Sequence, residues 1–192
     1  MNCGFGDQSA SASGDLPPRE AAPFVGYEKH ALVDANIDLE LAERYDGRFI
    51  ARDVITLQRA GIDPDEAARW PVRFVSGSDI VALRDAGLTP GLADRFDRRY
   101  TGHAIAELVT EGVDADQAAR FDRRYNHHEV LTLVRAGLNA HIVNDYPGWL
   151  TAEQVRYLAS KSITADEAHH ITDGPLYDGE LAAAVDRYKH WR

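Results

Sequence analysis

Two series of arginines are the residues best placed to do chemistry. Arg44, Arg69, Arg95 and Arg120 recur in one register, and Arg48, Arg73, Arg99 and Arg124 recur four residues further on. A guanidinium presents a planar fork of donors that fits carboxylate or phosphate, and it stacks on aromatic rings. At i, i+4 the two arginines of each set are expected to share a helix face and to align into two columns. Such columns have two uses. One is a ribbon that takes an acidic peptide, a phosphate ligand or nucleic acid. The other is an internal ladder, with Asp46, Asp97, Asp122 and nearby helix-capping acids as partners. The ladder is the expected use, because every central set repeats its arginines together with acids. The equivalent positions become His170, Trp149 and Pro175 further on, so a ribbon would fade toward the C-terminus.

Other reactive side chains form no catalytic pattern. His127-His128 and His169-His170 are adjacent pairs. Neighbours on a helix point about 100° apart, so neither pair is expected to chelate by itself. Asp166 and His170 stand at i, i+4, half of a metal site at most, and a surface pair is the expected role. Carboxylate pairs such as Asp65-Glu66 and Asp114/Asp116 recur where helices begin, and capping with dipole compensation accounts for them. The chain has neither a GxxxxGK[ST] phosphate loop nor a GxSxG elbow, and Cys3 is its only cysteine, so no Cys-based zinc site or intrachain disulfide is possible. No catalytic residue, cofactor or metal is assigned, and the chain is not expected to be an enzyme.

The arginines belong to a longer repeat. "ANIDLELAERY" (35–45), "AGIDPDEAARW" (60–70), "AGLTPGLADRF" (86–96), "EGVDADQAARF" (111–121), "AGLNAHIVNDY" (136–146) and "KSITADEAHHI" (161–171) align on Asn36, Gly61, Gly87, Gly112, Gly137 and Ser162. These pivots are spaced by 25, 26, 25, 25 and 25 residues. Fixed-period similarity of this kind marks a repeat architecture. Apolar pairs stand seven and four residues before the internal pivots: Val54 and Leu57, Ile80 and Leu83, Ile105 and Leu108, Val130 and Leu133, Val155 and Leu158. Their i, i+3 spacing predicts one buried face of a short helix that the pivot ends in a left-handed turn.

An apolar residue follows each pivot, and then a good N-cap: Asp38, Asp63, Thr89, Asp114, Asn139 or Thr164. Glu66, Gln117 and Glu167 are placed to complete capping boxes. A second helix is therefore expected in each unit, with "FDRRY" (96–100 and 121–125) as its end and stripes such as Ala118, Phe121 and Tyr125 on one face. Thr101, Asn126 and Thr151 are placed to cap the next unit. The extra residue of the longer spacing falls in "VSGSD" (75–79), a loop-like stretch.

The predicted fold is all-α, a solenoid-like tandem array of about six helical hairpins over residues 24–192, closed by a helix at about 180–192. Residues 1–23 are rich in Gly, Ser, Ala, Asp and Pro and predict a disordered tail. The net charge of −10 works against broad attraction to nucleic acid or anionic membrane, and no apolar run is long enough to span a bilayer. These features predict a soluble, acidic, cytoplasmic protein. The alternative is a lipid anchor through Cys3, should an upstream signal have been removed. The expected function is a non-catalytic scaffold for a protein or peptide partner, because stacked repeats expose extended surfaces. Nucleic-acid or phosphate binding through the arginine columns is the alternative.

Overall fold

Six short helices end in the same way, and that shared ending sets the architecture. The computed structural model describes residues 24–45 and 47–191. The expected tail with Cys3, the acid Asp46 and the terminal Arg192 lie outside the described residues. All six pivots have positive φ, from 58° at Asn36 and Ser162 to 77° at Gly87 and Gly112. Behind each pivot the next N–H reaches back five residues, as in Val113 to the Leu108 carbonyl at 2.9 Å and Ile163 to Leu158 at 3.0 Å. The pivot N–H itself bonds three residues back, as in Gly112 to Val109 at 2.9 Å. This double bond pattern is a Schellman stop, which glycine enters without a Cβ penalty and which Asn36 and Ser162 enter with one.

The chain then restarts at once. Asp38, Asp63, Thr89, Asp114, Asn139 and Thr164 each accept a backbone N–H from the following helix, so all six expected caps form. Thr101, Asn126 and Thr151 cap the succeeding helices in the same manner. The reciprocal half of the box forms at Gln117 and Glu167. Glu66 makes no such bond to Asp63, and nothing in the structure explains why. Glu129 and Gln154 complete boxes that the sequence reading did not name.

Among the described residues the result is thirteen helices and no strand. Six hairpins follow one another: α1 (Tyr27–Asp34) with α2 (Leu39–Glu43), α3 (Ala51–Arg59) with α4 (Pro64–Arg69), and α5 (Gly77–Asp85) with α6 (Pro90–Asp94). Then come α7 (Gly102–Thr110) with α8 (Ala115–Arg120), α9 (His127–Arg135) with α10 (Ala140–Asn144), and α11 (Ala152–Ser160) with α12 (Ala165–Ile171). The closing helix α13 (Asp178–His190) begins two residues before the position expected for it. No helix of the described residues is long and apolar enough to cross a membrane.

The longer helices pack in series, α1 on α3, α3 on α5, α5 on α7, α7 on α9, α9 on α11 and α11 on α13. The five apolar pairs named from the sequence are all fully buried in this series. Each such Leu, Ile or Val removes enough surface from water to contribute about 1.5–3 kcal/mol. Close approach between α5 and α7 requires Gly102, where a Cβ would lie 2.4 Å from Cβ of Asp79. The extra residue of the second spacing is absorbed at exposed Val75, but Gly77 already belongs to α5, so only the first part of "VSGSD" is loop.

"FDRRY" is not the end of a helix. α8 stops at Arg120, and Phe121 turns extended at φ −69°, ψ 137°. Asp122 then accepts the Arg124 N–H on its side chain at 3.0 Å and the Tyr125 N–H on its carbonyl at 3.1 Å. Asp97 does the same for Arg99 and Tyr100. An Asp in this geometry closes a tight turn that competes with helix, and that is why the helix ends five residues early. Pro71 and Pro147 fill the equivalent position and accept the matching turn bonds from Phe74 and Leu150. The aromatics still reach the core, since Phe121 and Tyr125 are both buried.

Candidate functional site

Because the second arginine of each unit lies in this turn rather than on the helix, the two columns do not share a helix face. Arg48, Arg73, Arg99 and Arg124 form an inner column. Each guanidinium sits 4.6–4.7 Å from the centroid of the following ring, Phe49, Phe74, Tyr100 or Tyr125. Each also donates across the joint to the short helix of the next unit. Arg48 bonds the carbonyls of Ala67 at 2.6 Å and Trp70 at 2.9 Å. Arg73 bonds that of Ala93 at 2.6 Å, Arg99 those of Ala118, Phe121 and Asp122 at 3.2–3.3 Å, and Arg124 that of Tyr146 at 3.2 Å.

These acceptors are carbonyls at or just past the end of a short helix, a favourable place for a cation. The inner column is thus a set of C-caps supplied in trans by the preceding unit. Of the acids expected as its partners, Asp97 and Asp122 serve elsewhere. Asp97 and Asp122 close the turns, and Asp97 meets Arg123 at 3.5 Å rather than Arg99. Asp94 approaches the column, 3.7 Å from Nε of Arg73.

Burial governs the titration of this layer. It pushes the Arg73 guanidinium below its ordinary value against the pull of Asp94. It raises Tyr45, Tyr100, Tyr125 and Tyr146. Two of these phenols donate to backbone across a hairpin, Tyr45 to Ile62 at 2.5 Å and Tyr146 to Ile163 at 2.6 Å. The Asp97 carboxyl is held low, chiefly by the Arg99 N–H.

The outer column, Arg44, Arg69, Arg95 and Arg120, is exposed. Its partners alternate. Arg95 pairs with Asp116 at 2.9 Å and Arg44 approaches Asp65 at 3.9 Å. For Arg69 and Arg120 the equivalent forward positions hold Gly91 and His141, and neither arginine enters an ion pair among the described residues. The short helices alternate in step. α2, α6 and α10 end on helical caps at Arg44, Arg95 and Asp145, whereas α4, α8 and α12 run longer and end extended at Trp70, Phe121 and Thr172. Leu41, Leu92 and Ile142 occupy the position that Glu66, Gln117 and Glu167 hold in the other three units. The sequence carried this two-unit period, since its three box residues fall in every second unit.

The alternation shapes a surface. Leu92 and Ile142 are 45% and 43% exposed. A groove of about 350 Å³ between α6 and α8 is lined by Leu88, Leu92, Phe96 and Val113 with Arg95 at its side. The next, about 480 Å³ between α8 and α10, is lined by Val113, Phe121, Val134 and Leu138 with Arg120 and His141.

A separate cluster lies on the long helices. His127 and His128 open α9, with ring centroids 3.8 Å apart and planes tilted by 40°. His127 Nε2 is 3.5 Å and His128 Nδ1 is 3.8 Å from the Glu107 carboxylate on α7. The expectation that adjacent histidines point apart does not describe this pair. In the first turn no preceding turn restricts χ1, so both rings swing toward the neighbouring helix. Burial lowers the His127 pKa, the neighbouring His128 lowers it further, and Glu107 opposes both. His169 meets the edge of Trp149 with centroids 6.0 Å apart, while Asp166 and His170 make no pair with each other.

No protein-family model matches the chain, and neither the curated proteins nor the solved structures contain a match to it.

Proposed function

We propose that the chain is a non-catalytic helical-repeat scaffold that binds a protein or peptide partner along the grooves between its short helices. The observation that carries this reading is the pair of successive grooves over α6, α8 and α10, apolar along the floor and edged by Arg95 and Arg120. An amphipathic segment with apolar residues and an acidic edge fits such a surface. Periodic grooves with a repeated chemistry suit an extended ligand better than a single small molecule.

The alternative, an anionic phosphate or nucleic-acid ligand, draws support from Arg69 and Arg120, which have no carboxylate partner among the described residues. Against it stand the inner arginines, already committed to carbonyls, and the net charge of −10.

Affinity capture with the parent and with Leu92→Asp, each in low and high salt, tests the two readings. The groove reading expects capture of protein that persists in salt and is lost in the variant, with unchanged melting. Captured nucleic acid that falls away steeply with salt and ignores the variant would favour the alternative.

A further inference from the structure

We infer that Glu107, His127 and His128 form a binding site for a divalent transition ion of the zinc type, which staples α7 to α9. The site is independent of the grooves. Its three donor atoms come from two successive units and lie within 4.8 Å of one another.

Their spacing distinguishes them from ordinary ion pairs. On the same series of long helices, Asp79 meets His103 at 2.7 Å and Arg135 meets Glu111 at 2.6 Å. Those are closed, charge-assisted hydrogen bonds. Between them the Glu107 contacts stand open at 3.5 Å and 3.8 Å. Ligands about 2.0–2.1 Å from a tetrahedral ion lie roughly 3.3 Å from each other. The two histidine–Glu107 separations are thus too long for close hydrogen bonds and near the edge length of a metal polyhedron. Two imidazoles and one carboxylate are a suitable zinc set and leave the fourth position open.

The positive end of the α9 dipole opposes a cation here. The Glu107 carboxylate and that of Glu129, bonded to the Asn126 N–H at 2.9 Å in the first turn, counter it. The open position faces outward, since Glu107 and His128 are exposed. A water or a side chain of a bound partner can complete the ion there.

The test uses the full chain, stripped with chelator, and ZnCl₂ by calorimetry, with cobalt(II) absorption reporting geometry. Expected are one saturable site lost in His127→Ala/His128→Ala, a tetrahedral cobalt spectrum, and a melting temperature that rises with free zinc. Glu107→Gln should weaken binding by more than the ~10–100-fold that loss of a supporting outer residue costs. His169→Ala/His170→Ala should bind as the parent does. Circular dichroism of each metal-free variant separates lost binding from lost fold, and His128→Ala alone, at an exposed position, provides a variant that folds. Absence of a saturable site, or parent-like affinity in either the His127/His128 double variant or Glu107→Gln, would overturn the proposal.

Discussion

The inner and outer arginine columns share residue type, period and direction, yet they do different work. Arg99 lies against the Tyr100 ring and holds three carbonyls of the next unit, whereas Arg95, four residues earlier, reaches one exposed carboxylate. Arg120 reaches none among the described residues, while Arg124 bonds the Tyr146 carbonyl. The acceptor decides the outcome. A carbonyl at a helix end is fixed by the backbone, cannot be neutralised, and has a second lone pair to offer. An exposed carboxylate is equally content with water, so its pair contributes little.

The comparison breaks most visibly if the inner column is cut. Arg99→Ala leaves the carbonyls of Ala118, Phe121 and Asp122 without their cation. It should cost about 1.5–3 kcal/mol in urea unfolding, the range for hydrogen bonds to a charged group. Arg99→Ala with Arg124→Ala opens two consecutive joints and should cost more than either alone. A change below about 0.5 kcal/mol for Arg99→Ala would erase the distinction between the columns.

A milder cut sharpens it. Arg99→Lys keeps the charge but replaces a fork by one nitrogen, and should lose about 1–2 kcal/mol. Arg120→Lys should be silent in the same assay.

The rings under the inner column give a pH signature. Burial raises Tyr100 and Tyr125 as well as Tyr45 and Tyr146, so the folded state holds these protons more tightly than the unfolded chain. Their contribution is complete below the unfolded tyrosine value of about 10 and is lost as pH rises through the folded values. Spectrophotometric titration should show these phenols ionising together with the loss of helical signal. Tyrosines that ionise freely before the fold opens would mean that the layer is not sealed.

The smallest effect belongs to the outer column. Arg95→Ala should cost less than about 1 kcal/mol and less still in high salt. Arg69→Ala and Arg120→Ala should stay within about 0.5 kcal/mol of the parent.

Features fixed by local chemistry were legible in the sequence. Each pivot and its following cap announce themselves within four residues, and all six stops and all six caps form where expected. The turn at "FDRRY" was harder to see, because Phe, Arg and Tyr are compatible with helix and only Asp97 or Asp122 argues against it. Pro71 and Pro147 at the same register were the available clue. For Arg99 and Arg124 the expected partners Asp97 and Asp122 give way to backbone carbonyls, which have no letter in a sequence. The Glu107 cluster depends on how α7 and α9 pack, which no spacing within one helix encodes.

The guanidinium bonds of the inner column span only 19 to 23 residues of chain. Contact order is therefore low, and loop closure asks little of the unfolded chain at any step. A unit emerging from the ribosome can be locked as soon as its successor has been made, with no need to wait for the C-terminus. Four arginine clamps come first, and at the same register of the next unit a neutral bond stands instead, Trp149 to Thr172 at 3.2 Å. The molecule can close behind the growing end, one joint at a time.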